Sequence, residues 1–192
     1  MATKKMTPKQ QASEWLLNCH ILVAETTGLD DQAEIIEISI IDQQGQVVLD
    51  TLVKPQKPIP ADATATHGIT NDMVASAPSW TEIHDEVCRI VGSKPLVIYN
   101  AYDNMRMMTQ TAAQYGLEPV VAEAGVHCAM LTYAEFNGDW NEYKGSYRWQ
   151  RLTSAAQQRG VVIEGAANRG MADVKMTLGV IKAMAQQQAG SV

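Results

Sequence analysis

The chain has 192 residues, 46% apolar and 19% charged, which is the composition of a folded protein and excludes a disordered one. Fifteen Lys and Arg against twenty-one Asp and Glu give a formal charge of -6, so a surface that is basic throughout, as for bulk nucleic-acid binding, is excluded. No apolar run reaches the length of a membrane span, and the charged start Met1–Met6 has no apolar stretch behind it, so neither a membrane helix nor a signal peptide is expected.

Thr7-Pro8-Lys9-Gln10 reads as a helix start, with Thr7 as cap, Pro8 in the first turn and Gln10 closing a capping box. That helix is expected over about residues 7–18. Ile21-Leu22-Val23-Ala24 reads as a buried strand over 20–26, ending in the turn Glu25-Thr26-Thr27-Gly28. The β-branched run from Glu34 to Asp42, the turn Gln43-Gln44-Gly45 and the return strand 46–53 predict a hairpin. Pro55, Pro58 and Pro60 mark an extended segment, and Ala61 to Gly68 a loop or short helix. Ser79-Trp80-Thr81-Glu82 is a second capping box, opening a helix that stops at Gly92. Another buried strand is predicted at 95–99, a helix from about Asp103 to Tyr115, and a short strand near 125–128. Helices follow near 129–136, 151–159 and 171–187.

This order predicts one α/β domain over residues 1–192, its core at about 20–188, with a mixed sheet between helices. Cys19, Cys88 and Cys128 are odd in number and not closely spaced, which fits free thiols in a reducing cytoplasm.

Several stretches together resemble the DEDDh 3′-to-5′ exonucleases, the superfamily of polymerase proofreading subunits. Glu25-Thr26-Thr27-Gly28-Leu29 is similar to the end of the first motif, Asp-x-Glu-Thr-Thr-Gly-Leu. Glu34-Ile-Ile-Glu-Ile-Ser39 is similar to the second strand, and His67-Gly68-Ile69-Thr70 to a His-x-Ile-Thr loop. Asn100-Ala101 resembles the start of Asn-Ala-x-aromatic-Asp. Asn168-Arg-Gly-Met-Ala-Asp173 stands where His-x-Ala-x-x-Asp belongs. The resemblance implies an RNase H-like, mixed five-stranded sheet flanked by helices. It also implies hydrolysis by two Mg²⁺ or Mn²⁺ ions roughly 4 Å apart, held by four carboxylates, with a histidine as general base.

Measured against that pattern, the candidate catalytic set departs at several positions. Val23 stands where the metal-bridging aspartate belongs and has no lone pair for a hard cation. Asn168 stands at the general-base histidine. In the second motif an ungapped count puts Asn104 at the aspartate, a register that Arg106 favours by its spacing. A one-residue deletion would instead keep Asp103 there. Glu25 and Asp173 remain on either reading, as remnant metal ligands.

Lys144-Gly-Ser-Tyr-Arg-Trp-Gln-Arg151 interleaves basic and aromatic residues, a pattern suited to single strands through phosphate contact and base stacking. Arg148, Trp149 and Arg151 of that stretch, with Thr26, Thr27 and His67 of the motifs that resemble the family, are the candidate nucleic-acid contacts. The reading is a pseudo-exonuclease in the cytoplasm, expected to hold no metal and to act on single-stranded nucleic acid or a protein partner. The alternatives are a weak exonuclease using Glu25, Asp103 and Asp173 with one metal, and a purely structural subunit.

Overall fold

The computed structural model describes residues 5–162, 165 and 168–186. Expectations for the first four residues, and for residue 187 onward, lie outside the described residues. Helix α1 (Pro8–Trp15) opens with a capping box: the Thr7 hydroxyl accepts from the Gln10 N–H, and the Gln10 side chain accepts from the Thr7 N–H. Strand β1 (His20–Thr26) follows. Strands β2 (Ile35–Asp42) and β3 (Val47–Leu52) form a hairpin turned by Gly45, whose φ of +91° suits a residue without a Cβ.

The segment expected as a loop or short helix folds as α2 (Ala61–His67), with the short α3 (Asn71–Val74) behind it. Helix α4 (Trp80–Ser93) starts at the second capping box. Then come β4 (Leu96–Ile98), α5 (Ala101–Gln114), β5 (Val126–Cys128) and α6 (Ala129–Asn137). A small hairpin that the sequence reading missed, β6 (Trp140–Asn141) with β7 (Ser146–Tyr147), precedes α7 (Leu152–Gln158) and α8 (Gly170–Gln186).

The main sheet has the order β3-β2-β1-β4-β5. β1 and β2 are antiparallel, as are β2 and β3, whereas β1–β4 and β4–β5 are parallel. Strand β2 is buried on both faces, which is why isoleucine fills five of its eight positions. One face packs Ile21, Val23 and Tyr99 against Val174 and Ile181 of α8. The other packs Leu22, Ile38 and Ile40 against Trp80 and Val87 of α4 and Met107 and Met108 of α5. Each fully buried isoleucine contributes about 1.5–3 kcal/mol relative to exposure, so the β2 run alone anchors the sheet. No helix among the described residues is long and apolar enough to cross a membrane.

Candidate functional site

Alternation along β1 puts Val23 and Glu25 on the α8 side of the sheet. The β1–β2 register places Ser39 opposite Val23 and Glu37 opposite Glu25. Val23 is buried in the apolar cluster with Val174 of α8. Glu37 is buried as well, and sequence reasoning did not assign it to the site. Arg169 holds it through Nε and Nη2, the latter 2.9 Å from Oε1, and the Gly170 N–H donates to Oε2 at 2.8 Å. This fork fixes the start of α8, and thereby Asp173 one turn on, beside Glu25. The available signal was a carboxylate in the middle of an isoleucine run.

β4 ends at Ile98, opposite Leu22, so β1 loses its parallel neighbour beyond that point. Asn100 adopts a left-handed conformation, φ +63°, which asparagine tolerates better than most residues, and turns the chain into α5. Asn104 then reaches back. Its Oδ1 accepts from the Ala24 N–H at 3.0 Å, and its Nδ2 donates to the Asn100 carbonyl at 3.1 Å. Asp103 accepts from Asn100 Nδ2 at 2.6 Å and stands 3.6 Å from Arg106. Glu25, Thr26, Leu29, Asn100, Asp103 and Asn104 border a cleft of about 170 Å³. A roomier pocket of about 530 Å³ lies along α5, between Tyr102, Met105 and Val126, and no carboxylate lines it.

Burial, then the neighbouring Asp173 and Glu37, push the Glu25 carboxyl up to about 8, with Arg169 opposing. Burial also pushes Asp173 up to about 6, against a hydrogen bond from the Asn168 backbone. Asp173 Oδ1 is buried without a hydrogen-bond partner. Asn168 has φ +59°, and its side-chain amide donates to the Thr66 carbonyl at 3.2 Å.

These residues do not fit a pair of divalent ions. Glu25 and Asp173 alone are few oxygens for a cation that demands six. Val23 adds none, and Asn104 Oδ1 is engaged by the Ala24 N–H. Among the described residues no group of three or more His, Cys, Asp or Glu is arranged to hold a metal ion.

Two of the candidate contacts are interior. Thr27 is buried, its hydroxyl accepting from the Glu34 N–H at 2.9 Å, and His67 is buried with Nδ1 accepting from the Ile69 N–H at 3.0 Å. Both side chains are buried and hold the loops around them. Thr26 is partly exposed at the cleft, although its hydroxyl donates to the Gly28 carbonyl at 2.6 Å. Arg148, Trp149 and Arg151 are exposed. The Tyr99 hydroxyl donates to the Gln150 carbonyl at 2.8 Å and ties their segment to the end of β4.

The RNase T exonuclease family matches residues 24–181, nearly the whole of this sheet and its helices. The chain belongs to this exonuclease family. This exonuclease-family chain is 47% identical over 191 residues to an uncharacterized exonuclease, CP81, of Escherichia phage 186, covering 97% of the chain and 98% of that protein. It is 28% identical to the DNA polymerase III subunit epsilon of Treponema pallidum, covering 89% of the chain and 80% of the relative. Among solved structures it resembles exonuclease X in complex with 5′ overhanging duplex DNA. That likeness has 26% identity, a TM-score of 0.62, and coverage of 86% of this chain and 90% of the other. A 3′-exonuclease in specific recognition of a histone mRNA stem-loop shares the fold, with a TM-score of 0.71 at 17% identity over 88% of this chain and 63% of the other.

Proposed function

We propose that this exonuclease-family protein is a pseudo-exonuclease: it keeps the fold and cleft, binds nucleic acid, and does not hydrolyse it. The observation that carries this reading is Val23, a buried hydrocarbon on the strand face that also bears Glu25 and faces α8. A two-metal centre needs an oxygen there to bridge the ions. Two further features support the reading. Asn104 spends its amide on backbone groups of Ala24 and Asn100, and Asn168 offers no proton acceptor near neutral pH.

The DNA seen with exonuclease X supports nucleic acid as the partner over a purely structural role. The three cysteines are free, which fits action in the cytoplasm. A one-metal exonuclease built on Glu25, Asp103 and Asp173 is disfavoured by the orientation of Asp103 toward Asn100 and Arg106.

The test is an assay on end-labelled single strands with Mg²⁺ and then Mn²⁺, beside a binding titration at two salt concentrations. Binding without shortening of the strand is expected. Metal-dependent shortening that disappears in Glu25→Ala would overturn the proposal.

A further inference from the structure

The β6–β7 hairpin gathers more exposed aromatic surface than a structural connection requires. Trp140 pairs with Tyr147 across the two strands, and their rings meet edge-on with centroids 5.0 Å apart. Exposure is 49% for Trp140, 97% for Tyr143, 39% for Tyr147 and 60% for Trp149. Scattered apolar side chains on a surface need no explanation, but here four exposed rings fall within residues 140–149, two of them in contact. Trp15 and Trp80, by contrast, are buried in the core.

Charge accompanies the rings. Residues 139–151 hold Lys144, Arg148 and Arg151 against Asp139 and Glu142, three positive and two negative, on a chain whose formal charge is -6. Arg148 stands 3.4 Å from Asp139; neither Lys144 nor Arg151 has an ion-pair partner among the described residues. The hairpin is also tethered at the right place. Tyr99, which holds the Gln150 carbonyl, packs in the same cluster as Val23, on the face of the sheet that carries Glu25. Tyr99 directly precedes Asn100, which borders the cleft, so the aromatic segment is tethered beside it.

Aromatic faces for bases and mobile cations for phosphates are what a single strand needs, and a duplex hides the base faces. We propose that the β6–β7 hairpin is a stacking platform that grips single-stranded nucleic acid where it enters the cleft. This rests on the reading that the chain binds nucleic acid, but not on whether it hydrolyses it.

Two of the four tryptophans lie on the platform and two are buried, so intrinsic fluorescence reports on it directly. Titration of the full chain with oligothymidylate or oligouridylate should quench that emission, and a blunt duplex should bind more weakly. Trp149→Ala and Tyr143→Ala should each weaken binding about 5- to 150-fold, the effect of losing one stacked base. Lys144→Gln and Arg151→Gln should each lower the salt dependence of log K by about 0.7, the value of one phosphate contact on a single strand. All four side chains are exposed, so melting temperature and circular dichroism should stay at wild-type values.

Strand binding that both aromatic variants leave unchanged would overturn the platform while the pseudo-exonuclease reading stood. Equal binding of duplex and single strand, or no binding of either, would also overturn it; the latter would make the exposed rings a protein contact. Strand degradation by the wild type would sink the pseudo-exonuclease reading and leave the platform standing if Trp149→Ala still weakened binding.

Discussion

Glu25 on β1 stands directly across from Glu37 on β2, and the guanidinium of Arg169 holds Glu37. Burial first, and then the charges of Asp173 and Glu37, favour the neutral form of Glu25. Its folded-state value of about 8 lies above the ordinary 4.5, so the folded chain binds this proton more tightly than the unfolded one. The associated stability is complete below pH 4.5 and is lost as pH rises through about 8. Asp173 acts in the same direction between 3.8 and about 6. The melting temperature of the wild type should therefore fall across this range. Glu25→Gln should flatten most of the decline above pH 6. An unchanged profile in that variant would show that Glu25 ionises freely.

Ser39 and Gly170 share one small space. A Cβ added to Gly170 would lie 3.0 Å from the Ser39 Cβ and 3.3 Å from Glu37 Oε2, while Ser39 Oγ donates to Asp50 at 2.7 Å. The family motif has alanine where this chain has Gly170, so the serine fills the room that methyl group would take. Gly170→Ala should destabilise by about 1–3 kcal/mol, the usual penalty of overpacking. In a Ser39→Gly background the same change should be milder by at least about 1 kcal/mol, measured as a double-mutant cycle in urea. Additive effects would mean that α8 shifts to make room.

Val23→Asp alone should destabilise the fold. It adds a carboxylate to a buried strand position beside Glu25, with no cation to pair it. A loss of at least about 2 kcal/mol is expected from an unpaired buried polar group, measurable by thermal or urea unfolding. A stable, well-folded variant would indicate that the position is wetter than its packing implies.

Added Mg²⁺ or Mn²⁺ should leave the wild-type melting temperature unchanged, because a ligand stabilises only a folded state that binds it. The combined variant Val23→Asp, Asn104→Asp, Asn168→His should gain cation-dependent stabilisation and remove 3′-terminal nucleotides from single strands. The single changes should do little for activity, since groups that act as one unit are far from additive. A triple variant that is stabilised by Mn²⁺ yet leaves strands intact would place the remaining defect in strand binding.

The sheet is legible in the sequence because β2 is a run of β-branched residues, and because Gln43-Gln44-Gly45 punctuates the hairpin. The β6–β7 hairpin is not legible, since two-residue strands carry no alternation and Gly138 and Gly145 read as loop. The choice between Asp103 and Asn104 depends on helix phase. Periodicity starts that helix near Asp103, whereas the left-handed Asn100 starts α5 at Ala101 and so determines which side chain meets β1. Glu37, Arg169 and Gly170 come together across more than a hundred residues, and no local pattern reports such a meeting.

The Asn104 side chain both accepts from strand β1 and donates to the turn that launches α5. A carboxylate in the same place accepts only, so exchanging amide for acid keeps the first bond and forfeits the second. A chain that has settled on the amide must loosen the α5 turn before it regains an acid, and the Asn100 carbonyl would then face an anion where it had a donor. The geometry thus gives the amide a double hold on the fold, which an acid of the same size would match only by half.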